Sequence, residues 1–321
     1  MNGKRATAFV PGHVTAFFSA HPAADPAVAG SRGAGLTLSD GVDVTVETID
    51  DPEALAAGDA SATADASAPI TLDGEPASIG AVADVLAALD VCARVDVETD
   101  LPLGAGFGVS GAAALGTALA ANAVADRGRS ENELVRIAHE AEVERGTGLG
   151  DVVAQARGGV PIRLEPGAPG HGALDGIPAH ARIEYVTFGE LSTEAVLAGD
   201  TAALTAAGER ALSRLRADPR LPTLMDASRE FAARADLLVP EVAEAIEAVD
   251  RASDPDGDGT AGDGSEGDGG SAAMAMLGRT VFALGTGLSD AGYDPAVCHT
   301  HPAGARLLEN SDNRHSDNRR D

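Results

Sequence analysis

Leu101 to Ala113 read LPLGAGFGVSGAA, and Gly104, Gly106 and Gly108 leave that main chain free of side chains. Glycine admits positive φ and lets a ligand approach the backbone closely. Successive N–H groups leading into a helix make a site for phosphate. A flexible connection is the alternative in a chain with 39 glycines. The P-loop ending Gly-Lys-Ser/Thr is missing, and no lysine is present in the run. A dinucleotide fingerprint can be laid on Gly106, Gly108 and Gly111, but no acidic residue follows at the end of a next strand. Downstream, His139 and Glu142 are three residues apart on one expected helix and share a face. That face can present an imidazole to a substrate and a carboxylate to a cation. Taken alone, a surface histidine and one more exposed carboxylate are the plainer readings of the two.

The elements that would position these groups are legible. Val91 to Glu98 alternates as a half-buried strand, and Ala112 to Asp126 reads as helix, so the glycines lie between strand and helix. Ser130 and Glu133 form a capping box ahead of Leu134, Ile137, Ala138 and Ala141. Val42 to Glu47 alternates as a strand, and Val82, Val85, Leu86 and Leu89 recur at helical spacing. Residues 50–69 read as an exposed insertion. After Arg163 the pattern becomes mostly helical, with stripes through 202–215, 221–238 and 239–249. Met274, Met276, Leu277, Val281 and Leu284 read as another helix with core methionines. Asp254, Asp256, Asp258 and Gly259 begin like a calcium loop, yet position twelve is Ser265, so 253–271 reads as a disordered acidic loop. His299-Thr300-His301 lacks a third ligand nearby. These shifts predict one lobe over 1–165, a second over 166–309 and a polar tail at 310–321.

The glycine run, with its proline and Ser110, resembles the phosphate motif of the GHMP kinases, which include galacto-, homoserine and mevalonate kinases. Phe9 to Thr15 (FVPGHVT) resembles that family's opening segment. Ala138 to Asp151, with Gly158-Gly159 after it, resembles its metal and acceptor segment, and Ala273 to Thr280 its C-terminal glycine segment. Within the family the chain is most similar to the archaeal pantoate kinases, through AEVERGTGLGDVVAQARGGVPIRLEPG, AMLGRTVFALG and GSRGAG at 30–35. The resemblance implies a two-lobed α/β fold and ATP-dependent phosphorylation of pantoate's terminal hydroxyl for coenzyme A synthesis. It implies ATP binding by Pro102, Gly104, Ala105, Gly106, Gly108, Val109, Ser110 and Gly111. Magnesium is implied at Ser110 and Glu142, the acceptor hydroxyl at Asp151, and pantoate at Ser31, His139 and Arg163. Phosphoryl transfer needs phosphate positioning, a cation and an in-line acceptor, and hard oxygens suit magnesium. Asp151 could accept a proton or orient the hydroxyl, while Gly150-Asp151 is also ordinary turn chemistry. Arg163 can grip a carboxylate through two hydrogen bonds, or end a strand at the surface. Val109 and His13 depart from the usual serine and lysine. Another small hydroxy acid or a sugar is the rival substrate, and an inactive nucleotide-binding regulator the rival class.

The 321 residues include 23 basic and 50 acidic side chains, a net charge of −27, and Lys4 is the only lysine. Such a surface repels nucleic acid and anionic membranes. The spread of carboxylates suits a salt-adapted protein, since about molar salt shortens the Debye length to ~3 Å; a cation-binding role is the lesser reading. Cys92 and Cys298 are too few for a disulfide framework. The N-terminus lacks an apolar signal core, and the expectation is a cytoplasmic enzyme with a small-molecule substrate. A homodimer is compatible with all of this.

Overall fold

A computed structural model describes residues 4–49, 69–189, 201–253, 271–276 and 278–309. The acidic loop expected at 253–271 and the tail from 310 lie outside these except at their edges, as does the insertion expected at 50–69. Two long strands, β1 (Arg5–His21) and β2 (Gly30–Thr48), pair antiparallel along nearly their whole length. Register shifts at Pro11/His13 and Thr15/Phe17 interrupt the ladder. Such bulges re-aim side chains, and the first lies at His13.

Around this pair the larger sheet grows. β3 (Ile70–Leu72), β4 (Glu75–Pro76) and β5 (Ala93–Thr99) extend one side, with β3 parallel to β5. β5 pairs with the C-terminal part of β2, while β6 (Val160–Glu165) pairs with its other end at Gly33 and Ala34. β2 thus holds the strand before the glycine run and the strand bearing Arg163 in one sheet. Helix α1 (Gly80–Leu89) buries Val82, Val85, Leu86 and Leu89, the stripe read from the sequence. Helix α2 (Val109–Val124) is Ala/Gly-rich because it lies close on β1 and β2: a methyl at Gly116 would press into Val44. Helix α3 (Glu131–Arg145) starts at the full Ser130/Glu133 capping box and stops at left-handed Gly146. The short α4 (Asp151–Arg157) follows.

β7 (Ala173–Ile177) hairpins with β6, so the expected boundary at 165/166 falls inside the larger sheet. β8 (Arg182–Thr187) opens a second, four-stranded antiparallel sheet. Helices α5 (Ala202–Ala217), α6 (Leu221–Arg234) and α7 (Pro240–Ser253) match the three stripes, and Ser228 Oγ of α6 donates to Ala16 O on β1 at 2.8 Å.

The helix expected over 274–284 is not formed. β9 (Ala272–Ala275) and β10 (Thr280–Leu284) are an antiparallel hairpin instead. Met and Ala favour helix, but Thr280, Val281 and Phe282 suit a buried strand, and sheet context prevails over propensity. The expected core role of Met274 and Met276 holds, both being buried. After α8 (Gly287–Asp290), β11 (Ala296–His299) completes the second sheet and β12 (Arg306–Leu307) returns to the larger one beside β1. Among the described residues no helix is long and apolar enough to cross a membrane.

Candidate active site

The glycine run is a loop from β5 into α2, and its geometry explains its composition. Gly104, Gly106 and Gly108 have φ of 64°, 91° and 65°, the left-handed region that other residues rarely adopt. Three carbonyls of the loop are engaged by distant parts of the fold. Ala105 O accepts from Thr280 Oγ1 at 2.8 Å, Phe107 O from the His13 amide at 2.9 Å, and Gly108 O from Gln155 Nε2 at 2.9 Å. With those carbonyls held, the loop is set to offer amides to an anion. Gly278 packs on the Ala105 backbone so closely that a methyl there would overlap it, placing the C-terminal glycine segment beside the loop.

A cleft of about 680 Å³ opens over this loop. Gly104, Gly106, Gly108, Val109, Ser110 and Gly111 line it, together with Glu142 and Asp151. Pro102 and Ala105, also expected to bind nucleotide, do not line it, and the Ala105 side chain is buried in the core. Ser110 is in the first turn of α2 and donates its hydroxyl to Glu142 Oε1 at 2.6 Å. Glu142 is only 3% exposed, and burial pushes its carboxyl up to about 7 against the pull of the Ser110 and Thr147 hydrogen bonds. A carboxylate so poorly solvated is one that a cation would stabilise. Ser110 and Glu142 are two hard oxygens at the phosphate loop, which fits magnesium that keeps waters and phosphate oxygens as its other ligands. Glu140 and Glu144 turn elsewhere; Glu140 pairs with Arg136 at 2.6 Å, and Glu144 is exposed.

Asp151 begins α4, next to the cleft, with its side chain one-quarter exposed. Its Oδ1 meets His13 Nδ1 at 2.7 Å, and His13 is wholly buried at the β1 bulge. Burial holds the imidazole below its ordinary value, although Asp151 draws it up. Burial also pushes the Asp151 carboxyl up, but the His13 hydrogen bond and the nearby Arg163 charge outweigh it and leave it lowered. The pair therefore stands as a neutral imidazole donating Nδ1–H to an ionised carboxylate. His13 Nε2 is then a bare lone pair with no partner.

Arg163, at 1% exposure, has Nε and Nη1 without partners. Its neighbour is Ser31: a methyl at Gly150 would overlap both Ser31 Oγ and Arg163 Nε. The plainer reading of Arg163 as a surface arginine fails on this burial. His139 is buried as well and donates Nε2–H to Ala29 O at 2.9 Å, so it is no surface histidine. A small crevice behind the cleft is bordered by His139, Glu142, Gly150 and Asp151.

Expected residues thus converge from five elements: Ser110 from α2, Glu142 and His139 from α3, Asp151 from α4, Ser31 from β2 and Arg163 from β6. The reading of the sequence missed His13 as the direct partner of Asp151, Gln155 as the clasp of Gly108, and Arg145 and Thr15 as cleft residues. Gln155 stands four residues after Asp151, on the same helix face, and could have been found by that spacing. Away from the site, His299 stacks on His180 and His301 Nδ1 donates to Ala303 O. Among the described residues no group of three or more His, Cys, Asp or Glu is placed to hold a metal ion.

Residues 78–159, which carry the loop, Glu142 and Asp151, match the family model of the GHMP kinases N terminal domain. A pantoate kinase of Thermococcus kodakarensis is 34% identical over 283 residues, 86% of each chain. One from Methanospirillum hungatei is 34% identical over 88% of each. A solved structure described as a phosphotransferase related to the CoA biosynthesis pathway superposes with a TM-score of 0.75 at 29% identity, covering 95% of this chain and 98% of its own. A homoserine kinase structure from Cytophaga hutchinsonii shares the fold at 16% identity, with a TM-score of 0.64 and coverage of 95% and 98%. The chain belongs to the GHMP kinases, in the family of the pantoate kinases, and is an enzyme that transfers phosphate to a hydroxyl.

Proposed function

We propose that the chain uses ATP with magnesium to phosphorylate the terminal hydroxyl of pantoate, as a step toward coenzyme A. The observation that carries this is the buried, unpartnered Arg163 beside Ser31, Gly150 and the ionised Asp151. Buried donors without partners are rare and costly. An anionic hydroxy acid satisfies them and brings its hydroxyl to a carboxylate. Arg163 takes the acceptor's carboxylate, with Ser31 and His139 beside it, and Asp151 receives the hydroxyl. His13 occupies Oδ1 of Asp151 and leaves the other oxygen for the acceptor. That oxygen accepts the hydroxyl proton as the acceptor oxygen bonds the terminal phosphorus of ATP and the bond from that phosphorus to the departing ADP breaks.

The loop amides from Gly104 to Gly111 hold the phosphates, and Ser110 and Glu142 hold magnesium, which neutralises phosphate charge when bound. Positioning and electrostatics supply most of the rate in such transfers. In this reading the nucleotide lobe takes in β7 and β12 beyond residue 165, and the second sheet with α5–α7 forms the other lobe. The same reading makes the protein cytoplasmic, and its acid surface an adaptation to concentrated salt.

The test is turnover in concentrated KCl with ATP and magnesium, offering pantoate, homoserine and mevalonate in parallel. Formation of ADP with pantoate alone is the expected result. Turnover of homoserine or mevalonate in preference to pantoate sinks the substrate assignment, and nucleotide binding without any turnover favours a regulator.

A further inference from the structure

Among the described residues lining the cleft, the charged side chains are Glu142, Asp151 and Arg145. Arg145 is therefore the cation of a cleft meant for a polyanion, in a chain of net charge −27 with a single lysine at position 4. It ends α3 one turn beyond Glu142, on the same side of the helix. Its guanidinium forks onto the Asp84 carboxylate of α1, with Nη2 to Oδ1 at 2.8 Å. Both partners are substantially exposed, and exposed ion pairs are weak and easily exchanged.

The resting position is electrostatically odd. The guanidinium lies against the first turn of α1, where a methyl at Gly80 would overlap it. That helix begins at Ile79 with no side-chain cap and no acidic residue in its first turn. A helix N-terminus carries partial positive charge and disfavours a cation beside it. Gly80 and Ala81 also line the cleft. An anion entering there satisfies the guanidinium and the helix end together, as a water-exposed aspartate at the fifth helical position does not.

We propose that Arg145 is the charge partner of the nucleotide's phosphates, exchanging Asp84 for them when a nucleoside triphosphate enters beside the glycine loop. The proposal rests on the kinase reading above and adds to the loop a side-chain cation that no motif supplies. The rival role is a strut joining α1 to α3, in which Asp84 and Arg145 are equally important.

The two roles separate in three variants of the full chain, Arg145→Gln, Arg145→Lys and Asp84→Asn. Calorimetric titration with a non-hydrolysable ATP analogue and with ADP, in low and high KCl, is the direct readout, and thermal midpoints control for folding. Arg145→Gln should weaken both nucleotides about tenfold, more for the triphosphate, and flatten the salt dependence. Arg145→Lys should recover part of the loss, and the acceptor KM should stay within about twofold. Asp84→Asn should bind nucleotide as tightly as the parent or tighter. Equal nucleotide affinity in Arg145→Gln and the parent would overturn the proposal, as would Asp84→Asn losing affinity as much as Arg145→Gln. A parent protein that binds no nucleotide would instead bring down the kinase reading itself.

Discussion

The glycine-loop half of the site and the His13–Arg163 half recognise charge by opposite means. The first is almost all main chain: three left-handed glycines, carbonyls clasped by Thr280, Gln155 and the His13 amide, and one hydroxyl from Ser110. The second is side chain throughout, with His13, Ser31, His139 and Arg163 all buried and several of their polar atoms unpartnered. Amides are the same in every sequence, so the loop itself depends on shape and on its glycines, with Arg145 the side-chain cation beside it. Buried imidazole and guanidinium are costly when unpaired, so the second half is specific to the ligand that satisfies them.

The sharpest test of that contrast is Asp151→Asn, where the two halves meet. It should lower kcat by about 10² to 10⁴, the usual worth of a positioned base, while an ATP analogue binds as before. Steady-state kinetics with calorimetric binding decide this, and a kcat within a few-fold of the parent would remove Asp151 from the chemistry.

Glu142 bridges the halves and should report through pH. Its carboxyl titrates near 4.5 unfolded and near 7 folded, so the stability it contributes is full below about 4.5 and is lost as pH rises to about 7. That loss amounts to about 3 kcal/mol in the metal-free protein. Magnesium with a nucleotide should offset it, raising the thermal midpoint more at about pH 8 than at about pH 5.5. In Glu142→Gln the difference between the two pH values should vanish.

Arg163→Gln addresses the side-chain half alone. The acceptor KM should rise roughly 10- to 50-fold, the loss of one charged hydrogen-bonding group, with the nucleotide Kd unchanged. A matching loss of nucleotide affinity would break the division between the halves. The smallest effect belongs to Val109→Ser, which adds a hydroxyl to the first turn of α2. If the loop works through amides, ATP affinity should change by less than about fivefold, no more than one added hydrogen bond. A larger gain would show that a loop hydroxyl adds to what the amides supply.

The two halves also differed in how much of them could be read from the chain. The loop, its strand and helix, and the Ser130 capping box are contiguous patterns, and each appears where periodicity placed it. His139 and Glu142 share a helix face for the same reason. Their burial was not legible, because a lone helix does not show what covers it. The His13–Asp151 bond joins residues 138 positions apart, and Arg163 reaches Gly150 only through the pairing of β6 with β2. Such contacts belong to sheet register and leave no local mark. The helix expected over 274–284 failed similarly: Met274-Ala275-Met276 favours helix locally, and only the neighbouring strands and the backbone of Ala105 show why Gly278 must turn.

The return of the last described segment to the larger sheet has a consequence for how the site is held. β12 pairs with β1, the Ala305 amide bonds Gln155 O, and His301 O receives the Gly159 amide, so this segment braces α4 and the strand that follows it. The helix that seats Asp151 and the Gln155 clasp on the phosphate loop thus share one late brace. Truncation ahead of Ala303 should therefore loosen both ends of the reaction at once, weakening the hold on nucleotide as well as turnover.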